Sequence, residues 1–404
     1  MGFAAANAKK LLGVPGIALG ALCSLFVPRS ANRWVLASAT EPGEGVAPLA
    51  AAAREAGVQL SWLVADPRVR AALAEDGYRT LPKRGLAAWW ATMRAGTVVV
   101  THGLGDAHPA GLRGARIVQL WHGVPLKRLH LDAPLTYQLP RFVGSKLLER
   151  ALRGASNRAY RRISVFVAAS AESASRLQSA FNLRANQLLI AGDPRDDVLF
   201  AEDAAEAARR ELADALNREL PTRIVLVAPT WREGEFDPMV PSQAEWHALA
   251  EWAAARGALV LVRPHPLATA AFAAAPQLPE IALLPTSAQA DLTRILPAID
   301  TLLTDYSSVA YDFALLERPI VFLAPDLADY ERSRGLYEPY ERFAGEAPAA
   351  RWGEAIERLS ALDTPSNRER ASAHARALAN RVHAYRDGRN TERVLHALMS
   401  SAEQ

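Results

Sequence analysis

Short, almost continuous apolar runs alternate along this chain with longer stretches in which apolar residues return every third or fourth position. The runs Arg33–Ser38, Val58–Val64, Thr97–His102, Arg116–Leu120, Phe166–Ser170 and Leu188–Gly192 read as strands. Strands that lack polar alternation belong to parallel sheets covered on both faces. Between them, Ala47–Gly57 and Pro67–Gly77 read as helices stopped by glycine. The pattern restarts after a polar helix, Glu202–Leu220, closed by Pro221. Strands then follow at Arg223–Thr230, Ala258–Arg263, Ile281–Leu284, Thr301–Thr304 and Ile320–Leu323, with helices between them, including Trp246–Gly257. From Trp352 onwards the chain reads as helical with an uncapped polar end. The prediction is an α/β protein of two doubly wound parallel-sheet domains, 1–199 and 200–404, facing across a cleft. Ligands in such sheets bind beyond the carboxyl ends of the strands.

Those ends carry the candidate chemistry. Thr301–Leu303 runs into Thr304-Asp305-Tyr306-Ser307-Ser308, and a helix starting near Ser308 continues towards Pro319. A strand, polar turn and helix start offer backbone N–H groups to an anion. Ser307 and Ser308 add hydroxyls, and Asp312 lies one turn beyond Ser308 on the same face. The plainer alternative is that Asp305 or Ser307 caps the helix. The strand ends Thr230-Trp231-Arg232 and Arg263-Pro264-His265-Pro266 bring further donors to the same sheet edge. Arginine forks and hydroxyls suit phosphate oxygens. In the first half, Trp121-His122-Gly123 follows a strand and leads to Lys127, which makes His122 a candidate general base. The turn Gly192-Asp193-Pro194-Arg195-Asp196-Asp197 presents Arg195 and carboxylates. Asp196 and Asp197 leave a divalent cation open, but no paired-aspartate metal motif is present, nor a Walker sequence, nor Gly-x-Gly-x-x-Gly after the first strand.

Composition narrows the class. At 404 residues, half of them hydrophobic, two domains with sizeable cores are expected. A net charge of +3 implies no whole-protein nucleic-acid surface. Cys23 is the single cysteine, so no intramolecular disulfide forms and a reducing compartment is the simple reading. Lys9 and Lys10 precede an apolar stretch, Leu11–Val27, interrupted by Gly13, Pro15, Gly16 and Gly20. It reads as a buried or membrane-resting helix in preference to a secretion signal. Between Arg141 and Arg162 seven basic residues face one acid, Glu149. Lys146, Arg150, Arg153 and Arg161 recur at helical spacing, so 145–162 reads as an amphipathic basic helix for an anionic membrane surface, or as an ordinary solvated face.

Five blocks together resemble the CDP-glycerol glycerophosphotransferases of teichoic-acid and capsule synthesis: WHGVPLKRLHLD (Trp121–Asp132), GDPRDDVL (Gly192–Leu199), VAPTWRE (Val227–Glu233), VRPHP (Val262–Pro266) and LLTDYSSVAYDFALLERPIVFLAPD (Leu302–Asp326). A weaker sixth is Tyr330 with Arg334–Tyr337. The resemblance implies a GT-B-like fold. It implies a CDP-glycerol or related CDP-polyol donor on the C-terminal domain, and a lipid-linked saccharide or polymer acceptor on the N-terminal one. A polyol phosphate, glycerol or ribitol, passes to an acceptor hydroxyl with CMP as leaving group, at the cytoplasmic face of the membrane. By motif position His122 is the base and His265 the donor-side histidine, with Thr230, Arg232, Arg263, Ser307, Ser308 and Asp312 at the donor. Trp121, Gly123, Lys127, Arg195 and Asp305 support them. Val124 and Asp196 depart from the family's usual Thr and Asn. Two alternatives stay open: a GT-B glycosyltransferase using a nucleotide sugar, and a non-catalytic scaffold that binds nucleotide or polymer.

Overall fold

The structure is a computed structural model describing residues 20–400 apart from 21, 25, 41, 44, 134–145, 233–236, 266 and 274. Most of the apolar stretch 11–27, Arg141, Glu233 and Pro266 therefore lie outside the described residues. Two compact units form: residues up to His122 with Arg128–Asp197 and Asp387–Gln404, and Gly123–Lys127 with Val198–Arg386.

The first unit holds a seven-stranded parallel sheet, ordered β3-β2-β1-β4-β5-β6-β7. Its strands are β1 Ser30–Ala37, β2 Gln59–Val64, β3 Thr80–Pro82, β4 Ala95–Val100, β5 Arg116–Gln119, β6 Ile163–Ala168 and β7 Leu188–Ile190. Side-chain parity makes two cores. Trp34, Leu36, Val99 and Val118 pack with Leu49 and Ala53 of the helix Val46–Glu55. Val35, Ala37, Val98, Val100 and Ile117 pack with Leu177 and Phe181 of the helix Ala171–Phe181 on the other face. The edge strand β3 escapes the sequence pattern because three residues, ending in proline, carry no period.

The second unit holds a five-stranded parallel sheet, β10-β9-β8-β11-β12: β8 Arg223–Ala228, β9 Ala258–Val262, β10 Ile281–Leu283, β11 Thr301–Thr304 and β12 Ile320–Phe322. Val225, Val227, Val260, Val262 and Leu303 face Trp246, Leu249 and Trp252 of the helix Gln243–Ala254. Ile224, Leu226 and Leu302 are buried from the opposite face. That helix starts earlier than its apolar period suggests, because Ser242 and Glu245 form a capping box: Ser242 N–H donates to Glu245 Oε2 at 2.8 Å, and Glu245 N–H to Ser242 Oγ at 3.3 Å.

The C-terminus departs from the expected division. Three helices follow residue 350, Trp352–Ala361, Pro365–Val382 and Asn390–Ser400, and the last belongs to the first unit. Val394 and Leu398 enter the core beside the helix Val46–Glu55. The start of this last helix is capped by Asp197, whose Oδ1 and Oδ2 accept the N–H groups of Asn390 (2.9 Å) and Thr391 (2.8 Å). Gly192 stands against Asn390 with φ +81°, where a Cβ would lie 2.1 Å from Asn390 Oδ1. Both carboxylate oxygens of Asp197 are thus engaged at a helix start. Truncating fully buried Leu398 to Ala should cost about 2–5 kcal/mol of stability in urea unfolding. An unchanged midpoint would show that this helix contributes nothing to the first unit.

Candidate functional site

In the second sheet, chain order reverses between β8 and β11, and both strands end in polar residues at that switch point. Asp305 follows β11 and is 0% exposed. A buried carboxylate must be paired and hydrogen-bonded. Its Oδ1 accepts Thr230 N–H at 2.9 Å, and its Oδ2 pairs with Arg232 Nη1. The rest of the guanidinium is taken by Asp326, just beyond β12: Nε donates to Oδ2 at 3.0 Å and Nη2 to Oδ1 at 2.8 Å. Nη1 also donates to the Thr230 carbonyl. The guanidinium carbon lies 5.2 Å from the Tyr306 ring centroid and 5.6 Å from that of Tyr330, two rings stacked 4.0 Å apart. Tyr306 Oη donates to Asp326 Oδ1 at 3.1 Å, and Tyr340 Oη to the Asp305 carbonyl at 2.9 Å. Burial opposes the charge on Arg232, but Asp326 and Asp305 outweigh it and hold the guanidinium above its ordinary value. Burial pushes the Tyr306 and Tyr330 hydroxyls up, with Asp326 and Asp305 respectively adding to it. Asp237, 3.8 Å from Arg232 Nη1, is also raised, first by burial and against the pull of Met239 N–H and Arg232.

Lys127 reaches this cluster from the short segment Gly123–Lys127. An antiparallel bridge to Leu336 and a 2.9 Å bond from Tyr337 N–H to the Leu126 carbonyl fix its backbone. Its Nζ donates to Thr230 Oγ1 at 3.4 Å. Burial lowers the ammonium to about 8; Asp305 pulls the other way, while Arg232 and Arg334 add to the lowering. On the adjoining strand end, His265 is exposed and stacks on Trp231 with centroids 6.0 Å apart. Its Nδ1 accepts Leu267 N–H at 3.2 Å, so the neutral ring carries its proton on Nε2. Partial desolvation and then the charge of Lys127 hold this imidazole below its ordinary value.

Ser307 and Ser308 are half-buried at the start of the helix Val309–Ala314, and neither hydroxyl bonds to another described residue. The capping alternative therefore does not account for them. Arg263, in contrast, turns away: Nη1 and Nη2 donate to the carbonyls of Leu284 (3.2 Å) and Ala290 (3.3 Å), and burial lowers its guanidinium to about 10. Asp312 is buried within its helix.

In the first unit, β5 leads to a tight bend. Trp121 takes φ 68° and Gly123 φ 114°. The first is a strained value for a side chain that has a Cβ, and the second is open only to glycine. Trp121 is held there by Phe166 and Phe181, at 5.9 and 5.1 Å. The bend lays the His122 ring between Trp121 (4.0 Å) and His102 (4.1 Å, 8° from parallel). His122 Nδ1 lies 3.5 Å from the Thr101 carbonyl, which only accepts, so Nδ1 carries the proton of the neutral ring and Nε2 its lone pair. His102 Nδ1 lies 3.0 Å from Thr101 Oγ1, and Asp106 Oδ2 accepts the N–H groups of Thr101, His102 and Gly103 at 2.8–3.2 Å. Arg195 pairs with Asp193 at 3.1 Å inside its own turn. Among the described residues no three His, Cys, Asp or Glu side chains gather as a metal site.

A profile of the family described as CDP-glycerol:poly(glycerophosphate) glycerophosphotransferase matches residues 25–400. The chain belongs to this family. Among relatives, it is 30% identical over 225 residues to the teichoic acid ribitol-phosphate polymerase TarL of Staphylococcus aureus, covering 55% of this chain and 39% of TarL. It is 29% identical over 253 residues to the teichoic acid poly(glycerol phosphate) polymerase of Bacillus subtilis, covering 61% and 32%. The matches thus span only a third to two-fifths of those two relatives. The fold is that of the wall teichoic acid polymerase TagF, with TM-score 0.76, 20% identity and coverage of 99% of this chain and 97% of that one; a further TagF structure, soaked with CDPG, matches equally at 0.76. The Neisseria meningitidis UDP-GlcNAc 2-epimerase is more distant, with TM-score 0.54, 10% identity and coverage of 91% and 99%. These likenesses establish the GT-B-like fold class.

The family's blocks thus sort by place. Thr230, Arg232, Asp305 and Lys127 meet at one edge, with His265, Ser307 and Ser308 on neighbouring strand ends. Trp121, His122 and Arg195 belong to the first unit. Sequence reasoning met Asp326, Tyr306 and Tyr330 only as members of the blocks and His102 only as a strand end, and gave none of them a role at the site. Asp326 and His102 each end an apolar strand, so the rule that selected Arg232 applies to them too. Replacing Asp305 with Ala should cost about 3–5 kcal/mol in urea unfolding, because Thr230 N–H and Arg232 lose a buried partner. A loss below about 1 kcal/mol would show that the Asp305–Arg232 pair does not hold this edge together.

Proposed function

We propose that this chain transfers a polyol phosphate, glycerol phosphate foremost, from a CDP-activated donor to a hydroxyl of a lipid-linked saccharide or envelope polymer. The observation that carries this reading is the donor-rich edge of the second sheet, where Thr230, Lys127, His265, Ser307 and Ser308 stand at strand ends beside the switch point. Family membership and the TagF structure soaked with CDPG support the same donor class.

The acceptor oxygen attacks the phosphorus that bears the polyol. A new P–O bond forms, the bond to the bridging oxygen breaks, and CMP leaves with that oxygen. His122 Nε2 takes the acceptor's proton. His265 Nε2–H donates a hydrogen bond to the phosphate of departing CMP. Ser307 and Ser308 hold the diphosphate. Positioning and charge neutralisation supply most of the acceleration in such transfers. Arg232 serves as a strut: its fork is engaged by Asp305 and Asp326, and it keeps Thr230 in place.

CMP release from CDP-glycerol, with membrane extract as acceptor source, tests this reading; release of UDP from a UDP-sugar instead would favour a glycosyltransferase. His122→Ala should lower turnover roughly 10²–10⁴-fold with CDP affinity unchanged, and unchanged turnover would remove His122 from the chemistry. Replacing both Ser307 and Ser308 with Ala should weaken CDP binding about 10–100-fold, and normal affinity would free them of that role.

The lipid-linked acceptor places the work at the cytoplasmic face of an anionic membrane. The helix Lys146–Tyr160 supports this, with Lys146, Arg150, Arg153 and Arg158 exposed. Leu86 (80% exposed) and Trp90 (50%) share one face of the helix Leu86–Arg94, an apolar pair suited to a lipid interface. Among the described residues no helix is long and apolar enough to cross a membrane. In flotation with anionic liposomes the protein should rise with the lipid, and reversing charge at Arg150, Arg153 and Arg161 should release it. Continued flotation of that variant would make the helix purely structural.

A further inference from the structure

A bound diphosphate brings two negative charges to the second unit's edge, where Arg232, Arg263 and Lys127 stand on or beside the strand ends, with Arg334 near the Lys127 ammonium. Two are already engaged. Arg232 is held by Asp326, Asp305 and the Thr230 carbonyl. Arg263 is held by the carbonyls of Leu284 and Ala290. The third is Lys127. An ammonium has three N–H donors, and among the described residues this one makes a single hydrogen bond, to Thr230 Oγ1 at 3.4 Å, near the outer limit for such a bond. Its remaining contact is the face of Tyr330, 5.8 Å away.

The backbone of Lys127 is not free to drift. The bridge to Leu336 and the Tyr337 N–H bond to Leu126 tie it to the unit that carries Thr230, so the ammonium is delivered to one place. That place is shared with His265, whose imidazole feels its charge.

We infer that Lys127 is the cation that receives the donor's diphosphate, and that donor binding is coupled to proton uptake at its Nζ. This rests on the CDP-donor reading above. The groups facing Nζ are Asp305, which favours its charge, Arg232 and Arg334, which oppose it, the His265 imidazole and the Tyr330 ring. Burial sets the balance, leaving the free ammonium at about 8. A diphosphate beside it restores the charged form. Well below pH 8 the amine is already charged and binding takes up no proton. Above pH 8 a proton must be bound from solvent, so affinity falls with rising pH, by up to about tenfold per unit. A diphosphate diester such as CDP-glycerol does not itself titrate there, so the proton belongs to the protein.

The test is calorimetric titration of the full chain with CDP-glycerol, without acceptor, at pH 8.5 in two buffers of different ionisation heat. The wild type should take up about three-quarters of a proton. Lys127→Met should lose that uptake and bind CDP-glycerol roughly 10–100-fold more weakly, while its affinity for cytidine, which has no phosphate, stays the same. Lys127→Arg, charged at every pH used, should bind well, take up no proton and show a flat pH dependence. Proton uptake that persists in either variant, or a Lys127→Met variant with wild-type affinity, overturns the inference and leaves the donor reading intact. Wild-type protein that binds neither CDP-glycerol nor CDP overturns both.

Discussion

Asp305 is a carboxylate without access to water, and the functional edge of the second unit is built around meeting its needs. It sits where β11 ends, beside the end of β8, so the backbone N–H nearest to it is that of Thr230. Its second oxygen requires a cation, which fixes Arg232. An arginine so placed has four further N–H donors to satisfy, which brings in Asp326 from beyond β12, and Asp326 in turn receives the Tyr306 hydroxyl. Strand ends of β8, β11 and β12 are thereby locked together by charge at the point where their apolar cores stop. The cost of an unpaired charge in that position is what makes the arrangement specific.

This network divides labour between the two kinds of cation. A guanidinium is planar, permanently charged and able to grip two carboxylates at once, so it serves as the strut. An ammonium is compact and gives up its proton when buried, so it suits a site whose charge changes as ligand arrives. Arg232 and Lys127 stand in these two roles beside one residue, Thr230, which bonds to both. Four residues of chain separate Lys127 from His122, so the donor-side cation and the proposed base lie on one short stretch of sequence.

The first unit solves a different problem. His122 follows a buried strand and is turned out of line by two residues at positive φ, with Trp121 held in its strained conformation by aromatic packing. Stacking between Trp121 and His102 then leaves the ring little freedom, which is the condition for a base that must meet a proton at fixed geometry. The turn from Gly192 to Asp197 spends its carboxylates internally, on Arg195 and on the start of the last helix.

Much of this was legible in the chain itself. The second unit's five strands, their parallel class and the placing of Thr230, His265, Ser307 and Ser308 at strand ends follow from uninterrupted apolar runs broken by polar residues, because burial on both faces leaves no other pattern. The short edge strand β3 was not legible, having too few residues for a period. The attachment of Asn390–Ser400 to the first unit was equally hidden, since amphipathic spacing shows that a helix has an apolar face but not which core covers it. Sequence likewise supplies the charged residues of the site without their pairing. Arginine after a strand reads as a phosphate ligand whether or not carboxylates from distant strands have claimed its fork, and only the tertiary fold, by bringing Asp305 and Asp326 to Arg232 and leaving Lys127 with one long bond, decides which cation is structural and which is free to act.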